Sequence, residues 1–326
     1  MVGKSVVKAI GLAVAMGLPS MAIADGLNTV VLKEVIAPAP AESKLTLRGG
    51  YGESNSEYPF AVHSGNRRIY EAGYGSGLYA HAAYANSRMF GSVGGEVSLS
   101  INKLSGDGKT PNTNCAFFEV IALSRRECAD SPKTSSSTQF NQFRILATRG
   151  QADNGAQLLG GLSVLQLLSD IRGNANNIQE NLSEYTRKTD YTGLGLVAGA
   201  RKRIPITNNA LLQLEGFVGA YSGDRDLNID DSYSSDAGYV EGKLSNTNSQ
   251  TVFSLDLTAS VNIPAKRIAP GGMFEFGLAY TRLFNVMDTS NYNSSVAARP
   301  DGIYRPGSDS DDIDALSLFF GIQIPL

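Results

Sequence analysis

Asp314-Ala-Leu-Ser-Leu-Phe-Phe-Gly-Ile-Gln-Ile-Pro-Leu326 decides the fold. Leu316, Leu318, Phe320, Ile322, Ile324 and Leu326 share one parity, and Ser317, Phe319, Gly321, Gln323 and Pro325 share the other. Successive side chains of a strand point to opposite faces. The stretch therefore reads as a strand with one fully apolar face and one mostly polar or small face, and the chain stops where the strand ends.

The same alternation recurs upstream. Candidate strands lie at 44–52, 68–84, 89–102, 140–150, 155–168, 186–203, 209–221, 251–263, 271–284 and 314–326. The cleanest is 251–263, where Phe253, Leu255, Leu257, Ala259, Val261 and Ile263 alternate with Ser254, Asp256, Thr258, Ser260 and Asn262. The segment 155–168 is more apolar and less regular. Ten strands is an even number, as closed bacterial barrels require. The connections alternate in length. Long ones fall at 53–67, 103–139, 169–185, 222–250 and 285–311, and short ones at 85–88, 151–154, 204–208 and 264–270. Long outer loops and short periplasmic turns on alternate sides mark a transmembrane barrel. The expected fold is thus all-β, a closed antiparallel barrel of about ten strands. The count becomes twelve if 68–84 is two strands or 103–139 hides a hairpin. A secreted β-sandwich is the competing fold, and it leaves the apolar face of the last strand unexplained.

The N-terminal stretch 1–24 carries Lys4 and Lys8, an apolar run over 9–18, Pro19, and a small-x-small site at Ala22-Ile23-Ala24. These are the three regions of a secretory signal peptide, in order. Residues 25–43, with Ala37-Pro-Ala-Pro-Ala41, read as a periplasmic extension, and 44–326 as the barrel. Export and the barrel together place the protein in the cell outer membrane. The chain has 35 Gly, 14 Tyr and 13 Phe but no Trp, so Tyr alone must serve any interfacial girdle. A net charge of −3 without a basic cluster argues against nucleic acid as a partner. Cys115 and Cys128 are the only cysteines, and in an exported chain they suggest a disulfide. With His63 and His81 they lack zinc-ligand spacing, so neither a metal nor another cofactor is expected.

The polar parity supplies the lumen-facing charges: Arg48, Glu71, His81, Glu96, Arg201, Glu215, Asp256 and Glu275. Glu215, Asp256 and Glu275 sit on three consecutive strands as an acidic strip, which Arg48 and Arg201 can answer across the lumen. A charged constriction that selects solutes and a salt-bridged, filled interior both fit this set. The connections 222–250 and 285–311 are acidic, with Asp224, Asp226, Asp230, Asp231 and Asp236 in one and Asp288, Asp301, Asp309 and Asp311 in the other. They suit divalent cations shared with lipopolysaccharide, or cationic solutes, and they do not match a calcium-binding helix–loop–helix motif.

The final strand resembles the closing strand of Gram-negative outer-membrane barrels. That resemblance implies recognition by the barrel-assembly machinery through Leu316, Leu318, Phe320, Ile322, Ile324 and Leu326. Most such strands end in Phe or Trp, and this one ends in Pro325-Leu326. Thr189-Asp-Tyr-Thr-Gly-Leu-Gly-Leu-Val-Ala-Gly-Ala-Arg201 and Leu211-Leu-Gln-Leu-Glu-Gly-Phe-Val-Gly-Ala-Tyr221 resemble a hairpin of proteobacterial outer-membrane barrels. These include the pore-forming family typified by the Legionella major outer-membrane protein. Gly160-Gly-Leu-Ser-Val-Leu165 fits the same pattern, so the resemblance covers roughly the C-terminal half. It implies a pore and carries over no catalytic or binding residue.

Enzymes also occur in this architecture. Omptin proteases use Asp and His at the outer rim, and the outer-membrane phospholipase uses Ser and His. Only His63 falls in an outer connection here, and no motif links it to a nucleophile. The glycines of Gly193-x-Gly195 and Gly73-x-Gly75-x-Gly77 lack the following helix that a phosphate loop needs. The expected function is porin-like passage of small solutes, with a non-conducting structural or adhesin-like barrel as the alternative and a hydrolase third. Expected partners are outer-membrane lipid, lipopolysaccharide, the assembly machinery and small solutes.

Overall fold

The computed structural model describes residues 43–63, 69–109, 116–120, 125–150, 155–177, 182–207, 209–235, 238–265, 270–286 and 312–326. The stretches read as a signal peptide and, but for Ser43, as an N-terminal extension lie outside them, as do Cys115 and the aspartates of 287–311. Thirteen strands run in order: β1 (Ser43–Glu53), β2 (Glu57–His63), β3 (Ile69–Gly73), β4 (Ser76–Phe90), β5 (Val93–Lys109), β6 (Ala116–Val120), β7 (Arg125–Arg149), β8 (Ala156–Asn177), β9 (Leu182–Thr207), β10 (Ala210–Ser235), β11 (Gly238–Pro264), β12 (Met273–Phe284) and β13 (Ile313–Pro325).

Ten of them close a ring in the order β1-β4-β5-β7-β8-β9-β10-β11-β12-β13, every pair antiparallel. The seam is β1 against β13, from Lys44 opposite Pro325 to Glu53 opposite Leu316. The wall thus has ten strands although the count along the chain is higher. The candidate 68–84 is two strands, β3 and β4, and 103–139 does hide a hairpin, β6–β7. Three of the thirteen nevertheless stay out of the ring. β6 pairs with β7 beyond the end of β5, and β2 and β3 follow it.

The outward face carries one apolar band. On β11 it runs from Phe253 to Ile263, eleven positions, which matches the roughly 9–11 tilted residues a bilayer-spanning strand needs. Phe274 and Phe276 on β12, Leu318 and Phe320 on β13, Leu47 on β1, Leu99 on β5, Phe143 and Ile145 on β7, Leu158 and Leu162 on β8, Leu194 and Leu196 on β9, and Val218 on β10 continue it, all exposed. A closed ring with such a band is a membrane-spanning barrel of the outer-membrane type. Both described ends and the short connections lie on one side, the periplasmic one.

The connections expected at 222–250 and 169–185 are corrected here. β10 and β11 stay paired up to Ser235 opposite Gly238, and β8 and β9 up to Asn176 opposite Leu182. The reason is an inversion of the hydrophobic phase. On β8, Leu158, Leu162 and Val164 face outward, but Leu165, Leu167 and Ile171 of the opposite parity are buried inside. On β10, Val218 faces outward while Leu227 and Ile229 face inward. β7 inverts between Phe143 and Phe140, and β12 between Phe276 and Leu283. Within the membrane the apolar parity meets lipid. Beyond it the outside is water, so the apolar parity turns to the core. The irregularity of 155–168 is this crossover.

Above the band the outward face is polar. Ser249, Thr247 and Ser245 donate across the strands to Asp224 (2.7 Å), Asp226 (2.6 Å) and Asn228 (2.7 Å). The thirteen residues from Tyr239 to Thr251 carry β11 roughly 30 Å past the band, at about 3.3 Å per residue along a tilted strand.

Candidate functional site in the lumen

The lumen has two tiers. The outer tier is one apolar cluster that includes Leu104, Phe140, Leu165, Leu167, Tyr191, Tyr221, Val252, Leu283 and Ile313, together with Tyr58, Ala72 and Tyr74. The last three come from the β2–β3 hairpin and its root. The hairpin is held by Asp314, whose Oδ1 accepts from Ser54 Oγ (3.2 Å), Asn55 N (2.8 Å), Ser56 N (2.9 Å) and Ser56 Oγ (3.1 Å). The chain then leaves the hairpin for the ring at Gly75, whose φ of +81° suits glycine. Tyr58 packs against Tyr74 with the rings tilted by 52° and their centroids 5.3 Å apart, and burial pushes the Tyr58 hydroxyl pKa up.

Glycines make room for the large rings. A Cβ at Gly195 would lie 2.7 Å from Tyr221 Cδ1, and one at Gly219 would lie 2.8 Å from the same ring. The Gly-x-Gly patterns on these strands are therefore packing features, since each missing side chain is replaced by an aromatic from a neighbouring position.

The periplasmic tier is cross-braced by ion pairs, with two small apolar clusters between them, Leu146–Leu159–Val197–Phe217 and Tyr79–Ala279–Phe319. Arg48 on β1 grips Glu275 on β12 with two bonds, 3.0 and 2.9 Å, and Glu275 also accepts from Ser260 Oγ (2.6 Å). Arg201 on β9 holds Glu96 on β5 by two bonds, 2.9 and 3.1 Å, and its Nε donates to Glu215 on β10. Asp256 on β11 accepts from Arg144 on β7 (2.5 Å), Thr281 Oγ1 (2.8 Å), Ser254 Oγ (3.3 Å) and Gln142 Nε2 (3.4 Å). Arg144 and Asp256 stand four strands apart on the ten-strand ring, so this pair crosses the lumen. Arg144 also lies over the Phe217 ring at 4.8 Å, and Arg48 over Phe319 at 5.1 Å. His81 Nδ1 is 2.8 Å from Ser100 Oγ.

Arg48, Glu96, Arg201, Glu215, Asp256 and Glu275 all face the lumen and are buried. The three carboxylates of the expected acidic strip do not form an open strip, because each is held by its own arginine. Glu71 is a correction. It lies on β3, outside the ring, with its backbone opposite Pro59. Arg144 was missed, although its parity, opposite Phe143 and Ile145, is the signal that would have found it. Gln142, Ser260 and Gln323 were missed too, because uncharged lumenal residues look like any polar strand face. His63 ends β2, and Cys128 lies on β7 with its backbone opposite Phe117. The disulfide expected between Cys115 and Cys128 is not tested, because Cys115 lies outside the described residues.

No family model and no curated protein matches the chain. Among solved structures it is similar to the outer-membrane protease OmpT of Escherichia coli, at 11% identity over 87% of this chain and 96% of that one, with a TM-score of 0.47. A major outer-membrane protein of Thermus thermophilus shares 12% identity over 86% and 98%, with a TM-score of 0.28. The translocator domain of the autotransporter NalP of Neisseria meningitidis shares 10% identity over 98% of each chain, with a TM-score of 0.27. Likeness this distant says nothing about activity.

Proposed function

We propose that this outer-membrane barrel is non-conducting and acts through the part of its wall that stands above the membrane. The observation that carries the reading is the filled lumen. Leu146, Leu165, Leu167, Tyr221, Val252 and Phe319 are wholly buried, and the Arg144–Asp256 pair spans the interior below the apolar tier. Small barrels have interiors that side chains fill. The exposed polar rows of β10 and β11 then provide the surface for contacts outside the cell. On this reading the protein is not an enzyme, and neither His63 nor His81 has a catalytic role.

The competing reading is passage of small solutes, which the resemblance to the Legionella-type pore-forming family implies. Single-channel recording of the refolded chain in planar bilayers separates the two. Heat-modifiable, folded barrels that pass no current support the closed barrel. Discrete, reproducible steps would sink it.

A further inference from the structure

We infer that the outer mouth of the lumen binds a small organic carboxylate with an aliphatic body, its charged end held by Arg187 and Thr189 of β9. Arg187, Thr189 and Tyr191 share the inward parity of that strand, while Lys188 and Asp190 are exposed on its other face. Arg187 and Thr189 are therefore neighbours on one face, about 7 Å apart along the strand. Each carries a polar atom without a partner. Thr189 is 1% exposed, and its Oγ1 makes no hydrogen bond. The Nε of Arg187 is buried and makes none either. A buried polar group left this way is costly, and here two stand side by side.

The register shows what surrounds them. Thr189 lies opposite Ser169 on β8 and Leu227 on β10, and Arg187 lies opposite Ile171 and Ile229. Ser169 Oγ is already 2.9 Å from Thr138 Oγ1, so the Thr189 hydroxyl ends a row of hydroxyls. Ile171, Leu227 and Ile229 are buried and form an apolar collar on that face. Among the described side chains of this stretch, Asp170, Glu184, Asp190, Asp226 and Asp230 take the outward parity. None of these carboxylates is placed to answer Arg187. Arg225 lies one row deeper, opposite Tyr191, with interactions of its own, and is not part of the site.

Arg187 is half-buried near the external end of β9, so a ligand reaches it from outside the cell. A guanidinium takes a carboxylate through two parallel hydrogen bonds. One cation, one hydroxyl and an apolar collar suit a monoanion with an aliphatic body. A phosphate dianion would bring a second charge into the collar with nothing to answer it. The site sits at the outer edge of the apolar tier, so it stands whether or not the lumen below conducts.

The test is calorimetric titration of the folded full chain in detergent with hexanoate, beside its neutral counterpart hexanol and inorganic phosphate. We expect saturable binding of one hexanoate per barrel. It should weaken about tenfold or more in Arg187→Gln and in Thr189→Val, each confirmed as folded by heat-modifiability, because each loses a hydrogen bond to a charged group. It should stay unchanged in Lys188→Gln, on the outward face of the same strand. No saturable binding, binding indifferent to either Arg187→Gln or Thr189→Val, or equal binding of hexanol overturns the proposal. Phosphate bound more tightly than hexanoate overturns the assignment to a carboxylate.

Discussion

Replacing Asp256 by Ala tests whether the lumen is a packed interior or a wet channel, because the two differ in what the change costs. Asp256 accepts from Arg144, Gln142, Ser254 and Thr281. The side chains of the Arg144–Asp256 pair are 6% and 11% exposed. In a dry interior, removing the carboxylate leaves a buried guanidinium without its anion, which costs about 3–5 kcal/mol. In a hydrated pore, water replaces the carboxylate and the loss is about 0–1 kcal/mol. The chain lacks Trp, so unfolding in urea from lipid vesicles is best followed by circular dichroism and by the gel shift of the folded barrel. The closed barrel predicts a loss near the upper range for Asp256→Ala. It also predicts recovery of most of that loss in Arg144→Met/Asp256→Leu, where both charges go and apolar volume returns. A loss below about 1 kcal/mol, or a double variant as weak as the single, refutes the packed lumen.

Three further outcomes follow. Leu227→Ala should cost about 2–5 kcal/mol, as for a core leucine, whereas Asp226→Ala beside it should cost under about 1 kcal/mol; equal effects in urea unfolding would contradict the phase inversion. Asp314→Ala removes four accepted hydrogen bonds at the hairpin root and should raise hydrogen exchange over 54–63 and 69–75 while the ring remains heat-modifiable; unchanged exchange would show that the carboxylate does not hold the hairpin. Gly219→Val should lower the yield of folded barrel, because its side chain enters the volume of the Tyr221 ring and meets the Ser254 hydroxyl, and Tyr221→Ala should restore part of that yield.

The ring was legible because the band is periodic. Over 251–263 each second residue meets lipid and each other residue meets the lumen, so parity alone gives strand and face. The same rule put Arg48, Glu96, Arg201, Glu215, Asp256 and Glu275 on the lumenal side. It did not say which charges pair, since Arg144 and Asp256 are 112 positions apart and meet only because the ring curls. It also failed at Glu71, where the alternation of 68–84 runs unbroken through the turn at Gly75 and a short outer strand reads as part of the wall.

The long outer strands were lost for a different reason, and the reason locates the membrane. A strand that crosses from lipid into water keeps its pleat but exchanges its environments. Its hydrophobic residues move from one parity to the other without any break in the ladder. A search for one unbroken period ends the strand at that point and reads the remainder as loop, as happened at Leu168 and Tyr221. The crossovers on β8 (Val164 to Leu165), β7 (Phe143 to Phe140) and β11 (Phe253 to Val252) therefore mark one physical boundary, the outer edge of the hydrocarbon. The two sides of that boundary also divide the energetics. Below it, lipid supplies the apolar solvent outside, and ion pairs with two small apolar clusters brace the interior. Above it, burial of Leu167, Ile171, Leu227 and Ile229 in an ordinary hydrophobic core holds the wall upright. Charged substitutions should accordingly reverse their tolerated parity at these residues, outward-facing ones failing below the crossover and inward-facing ones above it.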